Sequence, residues 1–187
     1  VRIAIFGGSF NPPHAAHQLV ALYVLETQPV DEVWLVPVFA HPFGKPLAGF
    51  EDRVAMCELA AAALGGRARV SRAEQELASA PGFVASRTLD LIAHLAATGD
   101  ELRLVIGADI LHDTAKWYRW DEVARLAPPI VVGRGGYGET AGVGIAMPEL
   151  SSTRIRELAA ERRYDELRPL VPHAVLRYIA EHNLYAP

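Results

Sequence analysis

The sequence predicts an α/β fold: a doubly wound parallel sheet with helices on both faces. Three observations predict it. Short apolar runs such as Ile3-Ala4-Ile5-Phe6 and Leu104-Val105-Ile106 have the length and two-sided hydrophobicity of strands buried on both faces. These runs alternate along the chain with longer segments of helical spacing. Three loops or turns follow apolar runs, after Phe6, Pro37 and Ile106, and so fall at the carboxyl ends of strands, where open parallel sheets gather ligands. No internal repeat or linker divides the chain, so residues 1–187 read as one domain, with a C-terminal helical segment from about 151 to 187.

In order along the chain, Arg2–Phe6 is the first strand. Gly7-Gly8-Ser9 makes a tight turn, and Pro12-Pro13 suits the start of a helix running to Leu25, because proline presets φ where no amide donor is needed. Glu32–Pro37 is a second strand, stopped by its proline, and Phe39–Gly49 is a loop rich in Pro and Gly. Glu51–Leu64 is helical and ends at Gly65-Gly66, and Arg69–Ser71 is a short edge strand. Glu74–Val84 reads as a polar, turn-rich loop. Ser86 is placed to cap a helix that runs to about Ala97 and stops at Thr98-Gly99. Leu102–Ile106 is the next buried strand and leads into Gly107-Ala108-Asp109, which opens a helical turn. Trp120–Leu126 is a helix, Ile130–Val132 a strand and Gly133–Gly144 a glycine-rich loop. Ser151-Ser152-Thr153 caps the helix Arg154–Glu161, and Pro172–His182 is the closing helix.

Composition narrows the function classes. The chain of 187 residues is 51% hydrophobic and 21% charged, a globular balance, and long enough to bury a sizeable core. A net charge of −4 argues against a general nucleic-acid binder, although one cleft can still be basic. The single cysteine, Cys57, excludes an internal disulfide and a cysteine-based zinc site; it lies in an Ala/Leu-rich helical pattern and reads as a small buried residue. No apolar run approaches the roughly 20 residues of a membrane span, which leads to the expectation of a cytoplasmic protein.

Two constellations carry chemistry. His14 and His17, at i and i+3, share a helix face and could hold a metal, yet no obvious third ligand stands nearby. The Gly-Gly-Ser turn and Asn11-Pro12-Pro13 before them give the backbone room to approach a phosphate, which imidazoles at a helix N-terminus can neutralise. Ser151-Ser152-Thr153-Arg154-Ile155-Arg156 is, at its plainest, a capped amphipathic helix. It also brings hydroxyls and unpaired N–H groups to the positive end of a helix dipole, with Arg156 one turn in and able to fold back on a phosphate. Gly133-Arg134-Gly135-Gly136-Tyr137-Gly138 satisfies a dinucleotide-binding glycine pattern, but no helix follows it, so the context fails. Trp117-Tyr118 suits either core packing or a partly exposed ring that stacks on a base, and Lys45 suits either solvent or phosphate.

Together these residues resemble the HxGH nucleotidyltransferases, and among them the nicotinate or nicotinamide mononucleotide adenylyltransferases. Gly7-Gly8-Ser9-Phe10-Asn11-Pro12-Pro13-His14-Ala15-Ala16-His17 is similar to that family's GG(S/T)F(D/N)PxHxGH, with Ala16 in place of a glycine. Ile106-Gly107-Ala108-Asp109 is similar to its (I/G)GAD segment, Lys116-Trp117-Tyr118 to its Trp-Tyr element, and Ser151–Arg156 to its SSTxIR signature. Asn183-Leu184-Tyr185 resembles its usual ending. Two stretches depart from the pattern: His41-Pro42-Phe43-Gly44-Lys45 stands for Pro-Pro-His-Lys, and Ser86-Arg87-Thr88 for Ser-Tyr-Thr.

The resemblance implies a Rossmann-like nucleotidyltransferase domain that transfers the AMP moiety of ATP to a pyridine mononucleotide and releases pyrophosphate. It implies His14, His17 and Arg156 as catalytic residues. For ATP it implies Gly7, Gly8, Ser9, Phe10, Lys45, Gly107, Asp109, Ser151, Ser152 and Thr153; for the acceptor, Arg87, Thr88, Trp117 and Tyr118. Mg²⁺ would be held mainly by the phosphates of ATP, with no metal site on the protein itself. The implied partners are ATP and the mononucleotide, with neither nucleic acid nor membrane; a homo-oligomer stays open. Two other readings compete: a transferase of the same fold acting on another phosphorylated acceptor such as phosphopantetheine, and a nucleotide-binding regulator without catalysis.

Overall fold

The structure is a computed structural model and describes residues 1–40, 46–83, 87–111, 114, 117–134 and 146–186, the side chains of Asp109, Leu111, Arg134 and Ala146 excepted. Its strands are β1 (Arg2–Gly8), β2 (Glu32–Pro37), β3 (Ala68–Val70), β4 (Glu101–Gly107), β5 (Pro129–Arg134) and β6 (Ala146–Met147). They form one sheet in the order β3-β2-β1-β4-β5-β6 with every adjacent pair parallel. The helices are α1 (Ala15–Thr27), α2 (Phe50–Ala62), α3 (Ala73–Ala78), α4 (Thr88–Ala96), α5 (Ala108–Leu111), α6 (Trp120–Leu126), α7 (Ser152–Ala160), α8 (Tyr164–Leu167) and α9 (His173–Glu181). The expected doubly wound parallel sheet is the observed one.

Strand periodicity explains the layers. Ile3 and Ile5 of β1 and Leu102, Leu104 and Ile106 of β4 point to one face, against Leu89, Ile92 and Leu95 of α4 and Val123 of α6. Ala4 and Val105 point to the other face, against Ala21, Val24 and Leu25 of α1 and Cys57 and Ala61 of α2. A third apolar cluster joins Met56 and Ala60 of α2 to Ile155 and Leu158 of α7, Leu167 of α8, and Val175 and Ile179 of α9. The C-terminal helices are therefore held on α2, and Leu170 O accepts the Ala15 N–H at 3.0 Å, which ties them to the start of α1.

Several expectations need correction. Residues 73–78 form α3 rather than loop: its first residue, Ala73, is buried in the core, and Glu, Gln, Leu and Ala are good helix formers. The first helix starts at Ala15, with His14 at the N-cap, so Pro12 and Pro13 lie before it. Arg87 is the N-cap of α4, and Ser86 lies outside the described residues. Ser151 is the N-cap of α7, but its hydroxyl makes no capping bond. The short β6 and α8 had no expected counterpart. Most of the glycine-rich loop, residues 135–145, lies outside the description. Among the described residues, no helix is long and apolar enough to cross a membrane.

Candidate active site

The chain reverses its direction of progress across the sheet between β1 and β4, the switch point where doubly wound folds open a crevice. The register shows how it opens. β1 follows β2 as far as Gly8↔Pro37, but follows β4 only to Ile5↔Leu104. Past Ile5 the central strands part, and two recesses of about 300 and 260 Å³ share the gap, both walled by Phe6, Gly7, Gly8, Ile106 and Gly107. At Gly7 a Cβ would meet nothing within 4 Å, so its backbone is open to close approach. At Gly8 a Cβ would come within 3.2 Å of the Phe10 ring, so a side chain there would press on that ring.

The smaller recess reaches His14 and His17. Their rings are stacked, with centroids 3.7 Å apart and an interplanar angle of 24°. His14 is buried, and its backbone N–H donates to His17 Nδ1 at 3.1 Å. That acceptor role places the proton of neutral His17 on Nε2, the nitrogen facing away from its own helix start. The His17 ring also packs edge-on to Phe10, with centroids 5.0 Å apart.

The Ser151–Arg156 cluster meets this loop from across the chain, joining the two constellations. Arg156 Nη1 donates to Asn11 O at 2.8 Å and Nη2 to Thr153 Oγ1 at 3.2 Å. Ser152 Oγ donates to Pro12 O at 3.0 Å. The N-termini of α1 and α7 thus lie beside one loop, and neither helix has an acidic residue in its first turn. The positive ends of their dipoles make this end of the sheet receptive to anions. In this structure the Arg156 guanidinium holds the loop as well as presenting charge.

The larger recess takes in Ser9, Thr88 and Trp117. Arg87 and Tyr118 are exposed beyond it, the Arg87 guanidinium lying 4.7 Å from the Tyr118 ring centroid. Trp117 packs edge-on against Trp120, with centroids 5.6 Å apart, so one indole serves both cavity wall and core. Asp109 stands in α5 directly after Gly107, with its side chain outside the description, and Lys45 lies outside the described residues altogether. Cys57 is fully buried, and burial pushes its thiol well above the usual range, so it takes no part.

Sequence reasoning missed how this loop is held. Arg53, 1% exposed on α2, donates to the carbonyls of Ser9, Val38, Phe39 and Ala48 at 2.7–3.3 Å. Its signal was a charge on the helix stripe that also carries Met56, Cys57 and Ala60. Asn11, 3% exposed, is the other hub: its Oδ1 accepts from the Ala48 N–H at 3.0 Å and the Tyr185 hydroxyl at 2.9 Å. Among the described residues no cluster of three or more His, Cys, Asp or Glu could hold a metal, and the imidazole nitrogens at the loop are poor ligands for a hard, oxygen-preferring cation.

The chain is similar to known proteins over nearly its whole length. Residues 5–158 match the cytidylyltransferase-like family model. The chain is 53% identical to a probable nicotinate-nucleotide adenylyltransferase of Anaeromyxobacter sp. (strain K), over 98% of this chain and 96% of the relative. It is 43% identical to one of Myxococcus xanthus, over 99% and 95%. Among solved structures it resembles a Plasmodium falciparum nicotinic acid mononucleotide adenylyltransferase complexed with NaAD, with a TM-score of 0.80, 18% identity and coverage of 98% and 97%; at that identity the likeness concerns the fold.

Proposed function

Since the chain belongs to the cytidylyltransferase-like family, among the nicotinate-nucleotide adenylyltransferases, we propose that it transfers the adenylyl group of ATP to nicotinate mononucleotide, giving the dinucleotide and pyrophosphate. The observation that carries this reading is the joining of α7 to the β1–α1 loop through Ser152 and Arg156, beside the stacked His14 and His17 and at the point where β1 and β4 part.

The acceptor phosphate is already an ionised nucleophile, so no covalent enzyme intermediate is needed. The chain's work is to align that phosphate with the α-phosphorus and to offset charge as pyrophosphate leaves. In this reading the Nε2–H of His17 and the ring of His14 meet the α-phosphoryl group, while Ser152, Thr153 and Arg156 face the β and γ groups, with Ser151 at the same helix start. Gly7, Gly8, Ser9, Phe10 and Gly107 line the nucleotide cleft, Asp109 faces the adenosine ribose and Lys45 the triphosphate. Thr88 and Trp117 receive the pyridine ring in the larger recess. Mg²⁺ would arrive on ATP's phosphates, where it offsets their charge, and no protein cage is required for it.

Nicotinate is preferred to nicotinamide because the relatives at 53% and 43% identity are probable nicotinate-nucleotide adenylyltransferases; the recess also borders the N-terminus of α4 at Thr88, which favours a carboxylate, with Glu74 in its wall as the opposing charge. Pyrophosphate release is to be measured with ATP and each acceptor in turn: nicotinate mononucleotide, nicotinamide mononucleotide, phosphopantetheine and none. The expected outcome is turnover with nicotinate mononucleotide at least about tenfold faster than with the amide, a difference on the upper scale of one partly buried helix-terminus charge interaction. Turnover with phosphopantetheine alone, or with no acceptor, would overturn the assignment.

A further inference from the structure

The β1–α1 loop contains a residue in a strained conformation and is held by donors from outside itself. Phe10 has a φ of 43°, in the left-handed region that a bulky L-residue keeps only where its surroundings impose it. The carbonyls on either side are engaged: Ser9 O by Arg53, Asn11 O by Arg156 and Pro12 O by Ser152. The Asn11 carboxamide adds a further anchor. Its Oδ1 accepts the Ala48 N–H and, at 2.9 Å, the hydroxyl of Tyr185, a residue 174 positions away in the sequence.

The route of that hydroxyl is itself unusual. After α9 the chain places Asn183 at φ 52° and Tyr185 at φ 62°, so two non-glycine residues adopt left-handed conformations in the turn that delivers the phenol to the loop. The phenol is largely buried, and burial pushes it well above the usual tyrosine range, so it remains an O–H donor throughout the working pH range. Packing alone would be satisfied by phenylalanine. The hydroxyl adds one directed bond, made to the side chain that stands three residues before His14.

We propose that Tyr185 is a positioning residue for the transfer reaction: by donating to Asn11 it holds the 9–12 loop in the conformation that presents His14 and His17 to the phosphates. The inference rests on the reaction proposed above. Misplacement of reacting groups by about 1 Å can cost a hundredfold in rate, so one bond within a set of several anchors is expected to cost less than that.

Tyr185→Phe, Asn11→Ala and the double variant are to be compared with the unaltered chain, by steady-state kinetics and by amide hydrogen exchange over residues 7–18. Tyr185→Phe is expected to lower kcat/KM for ATP roughly tenfold and to change the KM for the mononucleotide less, because Thr88 and Trp117, on the wall of its recess away from the loop, are untouched. Exchange of the loop amides should rise roughly tenfold while that of α9 stays the same. In the Asn11→Ala background Tyr185→Phe should cost nothing further, since its partner is already gone. Unchanged kinetics and loop exchange in Tyr185→Phe, or an equal loss in both backgrounds, overturns the proposal. Tyr185→Phe preserves the packing, so its exchange and kinetics decide the matter even if Asn11→Ala does not fold. Exchange is read without substrate: an unaltered chain that fails to adenylylate nicotinate mononucleotide refutes the reaction, and a loop that does not loosen refutes the positioning.

Discussion

At His17 a single hydrogen bond decides which ring nitrogen can serve a ligand. The His14 N–H donates to Nδ1, which puts the proton of the neutral ring on Nε2, and the His14 ring stacks on it with centroids 3.7 Å apart. Removing that ring takes away a preorganised donor without opening the core, because His17 is only half-buried. His17→Ala is expected to reduce kcat by at least about a hundredfold in the pyrophosphate-release assay, the scale of a lost electrostatic donor at a developing charge. Turnover near that of the unaltered chain would remove His17 from the mechanism. Cys57 shows the opposite case: a residue of reactive type, here made inert by full burial and a raised thiol.

At the scale of elements, α7 does two things at once. Its polar start holds the β1–α1 loop through Ser152 and Arg156, and its apolar stripe, with Ile155 completely buried, seats it among residues of α2, α8 and α9. Ile155→Ala is therefore expected to destabilise the fold by about 2–5 kcal/mol, the range for an isoleucine truncated to a cavity in a packed core, measured by urea unfolding. A loss well below that range would mean that α7 is less firmly seated than its burial indicates. The polar appearance of residues 74–84 hid α3, because propensity summed over Ala, Glu, Gln and Leu outweighs a reading based on polarity. Arg53 was hidden for a related reason: a charge on a helix reads as solvent-facing until the carbonyls that surround it are located.

Across the whole molecule, the sheet separates a binding end from a structural end. At the carboxyl ends β1 and β4 part to open the crevice. At the opposite end Arg2 and Asp31 close a two-bonded ion pair, Nη2 to Oδ1 at 2.6 Å and Nε to Oδ2 at 3.3 Å, where β1 and β2 begin. The bonds from Arg2 hold the Asp31 carboxyl down to about 2, below the value near 3.9 of an unstructured aspartate. The pair therefore favours the folded state fully above pH of about 4, and that contribution is lost as the pH falls toward 2. Both side chains are about half exposed, so the effect is small and weakened by salt. A carboxyl NMR titration should show Asp31 with a midpoint near 2 that returns to the ordinary range in Arg2→Ala; an Asp31 unmoved by that change would show that the pair is not formed in solution.

The sequence by itself determined the layered α/β architecture, the order of nearly all elements and the two constellations to compare. Strand alternation, turn glycines and the GGSFNPPHAAH and SSTRIR stretches are written in neighbouring residues, and neighbouring residues decide local backbone structure. Tertiary structure alone decided how the pieces meet: that β1 and β4 part after Ile5, that Arg156 reaches Asn11 across 145 positions and Tyr185 across 174, and that Arg53 is turned inward. The physical reason is that apolar periodicity reveals which face of an element is buried, whereas the partner of a polar group is set by geometry that exists only once those faces have packed.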